Sequence, residues 1–147
     1  MSPPHYQDDA SIRDEERLFR RFHLMLLVRD DDTGLARVSS GAFKDKELSI
    51  QIESVLAENG GSADSCLRGH DAHRLVSITA GNARQFNQAV CRDPLPEDPS
   101  HGLVCGSKNS KTVHEGLRVS AIWVIPETAP PYVDIEAEKR RLGIQGG

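Results

Sequence analysis

No apolar run in this chain is long enough to cross a bilayer. The longest, Leu24–Val28 and Ala121–Ile125, fall far short of the roughly 20 residues that a spanning helix needs. Neither sign of charge dominates: 18 Lys and Arg stand against 22 Asp and Glu, interspersed along the chain, for a net charge of −4. Such a balance gives no large field to steer a polyanion, so nucleic acid is not an expected partner. Aromatic residues are scarce at 5%, with Trp123 the single tryptophan. Only Phe19 and Phe22 lie near the basic set Arg17, Arg20 and Arg21, too few rings for a base-stacking surface. Each of those arginines also follows closely on Asp14, Glu15 and Glu16, which reads as a solvated mixed-charge face.

Cysteine is also sparse. Cys66, Cys91 and Cys105 cannot all pair within one chain, and the start M-S-P-P-H-Y-Q-D-D has neither the basic lead nor the apolar core of a secretory signal. Together these point to reduced thiols in a cytoplasm. The common catalytic fingerprints are missing too: there is no Gly-x-Ser-x-Gly elbow, no His-Glu-x-x-His helix and no phosphate-cradling loop. The segment G-S-K-N-S at 106–110 has a superficial likeness to such a loop, but it lacks the upstream glycine and a Ser or Thr directly after Lys108.

What is present describes a folded domain. Residues 1–13 are polar, carry two prolines and offer little to bury, so they read as a mobile tail. A single domain follows over 14–126, and a Pro-rich, charged tail over 127–147, its D-I-E-A-E-K-R-R-L a short helix or a frayed end. Within the domain, 14–23 reads as a polar lead-in to a strand over Leu24–Val28, which stops at the D-D-D-T-G turn. Alternation near Leu35–Val38 and over Leu48, Ile50 and Ile52 fits half-buried strands. E-S-V-L-A-E then switches to helix formers and ends at Asn-Gly-Gly, with a glycine-rich loop over 59–70. Leu75–Thr79 reads as a strand, Ala80–Asn82 as a turn, Arg84–Asn87 as one helical turn, and Gln88–Cys91 and Leu103–Cys105 as further strands. Thr112 and Glu115 fit a capping box for a helix with Val113, Leu117, Ala121 and Val124 on one face. A strand over Val119–Ile125 is the rival reading. The class is α+β, with a small, mostly antiparallel sheet and two or three short helices.

The densest local signal lies between Cys91 and Lys108, with three prolines, two Asp-Pro steps and two glycines around His101. Proline fixes φ and biases the preceding residue away from the helical region, so this is a stiff surface loop that delivers an imidazole to the start of a strand. A general acid–base site would centre on His101, oriented by Asp98 or Asp93, with Arg84 holding an anionic group and the Gly81 and Asn82 amides assisting. No nucleophile is specified. Cys66, His70, His73, His101 and Cys105 invite a zinc reading, but no Cys-x-x-Cys occurs and the second pair would sit on a strand whose alternate side chains diverge; no metal ligand and no cofactor is assigned.

R-V-S-S-G-A-F, I-T-A-G-N-A-R and D-P-L-P-E-D-P-S-H-G are similar to segments of small bacterial proteins, a resemblance that implies no activity and no site residue. The preferred expectation is a soluble, bacterial-type cytoplasmic module that binds a protein partner or a second copy of itself, using the proline-stiffened loops and the Trp123 region. One alternative is a small hydrolase or transferase acting on a phosphate-bearing or nucleotide substrate through His101, Asp98 and Arg84. The other is a zinc-bearing interaction module.

Overall fold

Six antiparallel strands form one sheet in the order β6-β7-β4-β1-β5-β8. They are β1 (Arg17–His23), β4 (Glu47–Ile52), β5 (His73–Thr79), β6 (Ala89–Arg92), β7 (His101–Cys105) and β8 (Ile122–Ile125). A separate hairpin pairs β2 (Leu27–Arg29) with β3 (Ala36–Val38). The helices are α1 (Glu53–Glu58), α2 (Ala63–Cys66), α3 (Ala80–Gln85), α4 (Lys111–Ser120) and α5 (Tyr132–Arg141). The structure, a computed structural model, describes residues 7–144. The α+β class and the antiparallel sheet agree with the sequence reading; among the described residues five helices stand where two or three were expected.

The register sorts side chains onto two faces. Leu18 lies opposite Ile52 and Ile78, and Val104 opposite Leu48 and Val90, so these residues share a face. That face carries the main core, closed by Ala80 and Ala83 of α3, Leu117 of α4, Ile135 of α5 and Phe43. The other face buries a smaller cluster, Phe19 and Leu75 under Leu56 of α1 and Cys66 of α2. Burial on two faces of one sheet explains why Leu75, Val76, Ser77 and Ile78 are all buried in β5 rather than alternating.

Several elements differ from expectation. Residues 17–23, expected as a polar lead-in, form β1. Its arginines disguise the alternation: Leu18, Arg20 and Phe22 share one face. Arg20 is tolerated there because Nε and Nη1 donate to the Ala42 and Ser49 carbonyls at 3.0 and 3.1 Å. The turn expected at Ala80–Asn82 is the first turn of α3. It is capped reciprocally: Thr79 Oγ1 accepts from the Asn82 amide at 3.0 Å, and Asn82 Oδ1 from the Thr79 amide at 2.8 Å. Helix α4 begins two residues earlier than its expected box, with Ser110 as cap, and stops at Ser120. Val124, expected on its apolar face, belongs to β8, so the helix and strand readings each hold for part of the segment.

Both ends pack onto the domain. Residues 7–13, expected within a mobile tail, run beside β6: the Asp9 amide donates to the Val90 carbonyl at 2.8 Å, and Ile12 is only 1% exposed. Beyond 126 the chain bridges to the β2–β3 hairpin, with the Ala36 amide donating to the Pro130 carbonyl at 2.7 Å, and α5 buries Ile135 in the main core. Residues 1–6 and 145–147 of the two expected tails lie outside the described residues.

Candidate functional site

Strands β1 and β4 pair only at Leu18↔Ile52 and Phe19↔Gln51, then part. The Arg20 guanidinium bridges the gap to the Ser49 carbonyl. A cleft of about 330 Å³ opens at this fork, lined by Phe19, Arg20, Arg21, Ser49, Ile50, Gln51, Asp98 and His101. A second depression, lined by Arg21, Gln51, Gly60, Arg68 and Asp98 among others, continues from it between the proline loop and the α1–α2 connection.

The proline loop is internally bonded. Leu95 and Asp98 exchange backbone hydrogen bonds at 3.1 and 3.0 Å. Asp98 Oδ1 accepts from the Ser100 amide at 3.1 Å and its hydroxyl at 2.5 Å, while Oδ2 accepts from Gln51 Nε2 at 3.1 Å. His101 sits directly across from Gln51 in the β4–β7 ladder, so its ring falls on the cleft side of the sheet. Its Nδ1 lies 3.0 Å from both the Asp93 carbonyl and the Asp93 carboxylate.

Of the three residues expected to act together, His101 and Asp98 share this cleft, and Asp93 rather than Asp98 orients the ring. Arg84 is elsewhere. It does hold anionic groups, but they belong to its own chain: Nε lies 2.9 Å from Asp8 Oδ1, Nη1 2.7 Å from Asp14 Oδ1, and Nη2 donates to the Asp9 carbonyl at 2.9 Å. Those contacts raise its pKa, led by the Asp8 hydrogen bond. Gly81, expected to offer its amide to a ligand, gives it to the Asp14 carbonyl at 2.8 Å. Arg20, Arg21, Ser49 and Gln51 were not assigned to this site from sequence; the two arginines read as part of a solvated charged face.

Histidines and cysteines do not converge. Among the described residues no group of three or more His, Cys, Asp or Glu side chains is placed to hold a metal ion. His73 stacks edge-on with His23 and His70, ring centroids 5.1 and 5.2 Å away. All three cysteines are buried and unpaired; burial pushes the Cys66 thiol up to about 11 and Cys105 up to about 12, which makes both poor nucleophiles. Lys108 turns into its own chain. Buried, it donates to the carbonyls of Lys46, Val104 and Gly106 at 3.1, 2.8 and 3.2 Å.

The sheet's two edges differ. At β6 the Val90 amide donates to Asp8 Oδ1 at 2.9 Å and its carbonyl accepts from Asp9, so the N-terminal segment covers that edge. At β8, among the described residues, no backbone hydrogen bond joins Ile122–Ile125 to anything but β5. Val119 and Ile122 beside this open edge are 70% and 64% exposed. Depressions of about 900 and 760 Å³ flank Trp123, the first lined by Val124 to Glu127, the second by Val76, Arg118 and Val119. No helix among the described residues is long and apolar enough to cross a membrane.

No protein-family model, curated protein or solved structure matches this chain.

Proposed function

We propose that this chain is a binding module for a protein partner, which it receives as an added strand along β8. The observation that carries this reading is the unequal treatment of the two sheet edges: one is closed by the chain's own Asp8 and Asp9, the other is open beside exposed apolar residues. Open edges with apolar side chains are a liability that soluble proteins normally cover, charge or shorten. Strand addition uses such an edge for affinity and hollows beside it for alternate side chains, and the depressions flanking Trp123 have that placement. An irregularity opposite Leu75 and Val76, with Pro126 just beyond, limits the edge to four residues, which favours a short segment over indiscriminate pairing.

Binding is preferred over hydrolysis or group transfer because no hydroxyl or thiol among the described residues is hydrogen-bonded to the His101 ring. Three unpaired cysteines fit a reducing compartment such as a bacterial cytoplasm.

A photo-reactive phenylalanine analogue placed at Ile122 tests the reading in cells that make the full chain. One defined adduct is expected, absent when the analogue replaces Val133, which is 67% exposed but lies on α5. An adduct of twice the chain mass makes the partner a second copy. Equal, diffuse labelling from both positions overturns the reading.

A further inference from the structure

The cleft at the β1–β4 fork has a donor and acceptor pattern that strand addition at β8 does not use. Nδ1 of His101 faces two oxygens of Asp93 at 3.0 Å, a carbonyl and a carboxylate, and neither can donate. In the neutral ring the hydrogen therefore sits on Nδ1, and Nε2 offers a lone pair. Across the cleft, Arg21 donates Nη1 to the Cys66 carbonyl at 3.0 Å, and among the described residues its other donors have no partner and no carboxylate lies within ion-pair reach. The charged groups around them are already engaged. Asp98 is occupied by Ser100 and Gln51, Asp93 by His101, and Arg20 by the Ala42 and Ser49 carbonyls, with Asp45 at 3.5 Å.

A ligand that fits must bring anionic oxygens for Arg21 and one acidic hydrogen for His101. We propose that this cleft binds a phosphate monoester group. A singly protonated phosphate carries both features on one centre: its O–H donates to Nε2 while its other oxygens accept from the guanidinium, whose planar fork suits them. The second proton of such a group leaves with a pKa of about 6, so about a tenth of the group still carries it at pH 7 and a larger share just below neutrality. A phosphodiester has no acidic hydrogen to give, and sulfate keeps none near neutral pH. The cleft shares Arg21, Gln51 and Asp98 with the adjoining depression beside Gly60 and Arg68, which gives the rest of a ligand a place to lie.

Titration of the full chain at neutral pH, followed through the His101 ring and Arg21 guanidinium resonances, decides the matter. The probes are inorganic phosphate, glycerol phosphate, dimethyl phosphate and sulfate. Phosphate and the monoester are expected to move both sets of signals, with sulfate and the diester weaker by about tenfold, the worth of one charge-assisted hydrogen bond. Arg21→Gln loses phosphate by about tenfold or more on the same grounds, and Arg140→Gln, an exposed cation on α5, leaves it unchanged. Equal affinity for sulfate, binding that survives Arg21→Gln, or unmoved His101 signals each overturn the proposal. Should Arg21→Gln not fold, the contrast between phosphate and sulfate on the native chain still decides.

Discussion

Arg84 and Asp8, 76 positions apart in sequence, form a two-pronged ion pair in which Nε lies 2.9 and 3.1 Å from the two carboxylate oxygens. The same guanidinium holds Asp14 and the Asp9 carbonyl, and the same carboxylate accepts the Val90 amide. The pair thus fixes the segment that closes one edge of the sheet. Arg84→Ala is expected to cost about 1–2 kcal/mol, the worth of a charge-assisted hydrogen-bond set discounted for its partly exposed acids, and to speed hydrogen exchange at Val90. Arg84→Lys does not restore it, since Arg84 reaches Asp8, Asp14 and the Asp9 carbonyl through three separate nitrogens of one planar fork, a spread that a point-like ammonium lacks.

Gly116 lies inside α4, where glycine ordinarily costs about 1 kcal/mol against alanine. The reason for it is steric: a Cβ there would overlap the Phe86 ring, packed against the helix. Gly116→Ala should therefore destabilise by about 1–3 kcal/mol in urea unfolding despite better helix propensity. Adding Phe86→Leu should recover part of that loss; full additivity of the two changes would contradict the explanation.

Burial lowers the Lys108 ammonium to about 8 from 10.5. Between those values the unfolded chain keeps a proton that the folded chain has released, so stability from this group rises with pH above about 8 and is absent below it. Lys108→Met should remove that rise. At neutral pH it should also lower stability by about 1–3 kcal/mol, because the Val104 carbonyl loses its buried donor. Unfolding curves at pH 7 and pH 10 for both proteins give the comparison.

His73 behaves similarly on the acid side. Desolvation first, then His23 and His70 beside it, push its pKa below 6.5, and among the described residues its buried Nδ1 has no partner. The folded chain favours the neutral ring, so its stability is complete above 6.5 and declines as the pH falls below that value, where the unfolded chain takes up the proton. His73→Phe should flatten the decline in the urea midpoint between pH 7.5 and 5.5, a window chosen to span roughly a unit on either side of an unperturbed imidazole. An unchanged slope would show that other groups set the acid limit.

How much of this was legible in sequence follows from where side-chain chemistry agreed with backbone periodicity. Leu48, Ile50 and Ile52 alternate cleanly, and β4 lies where they place it. The run L-V-S-I-T reads as a strand and is one. Strand β1 was hidden because Arg20 occupies a core-facing position, tolerable only because its guanidinium donates to the carbonyls of Ala42 and Ser49, which are distant in sequence. The two terminal segments each hide one buried aliphatic anchor, Ile12 and Ile135, among charged neighbours. At the cleft, the stiffness of the Asp-Pro loop and the position of His101 were readable. Arg21 was not, because the acids near it in sequence do not pair with it in space. Arg84 is expected from sequence to hold a ligand's anionic group, but Asp8 and Asp14, in or next to a segment expected to be loose, take up its guanidinium instead.

The open edge of β8 is the feature on which the binding reading rests, and amide hydrogen exchange tests it most directly. In dilute free protein, the Val90 amide should be protected and the outward-facing amides of Ile122–Ile125 should exchange rapidly; once the cross-linked partner is added, the latter should slow. Protection of those amides in the free monomer, or no slowing on partner addition, would contradict the account.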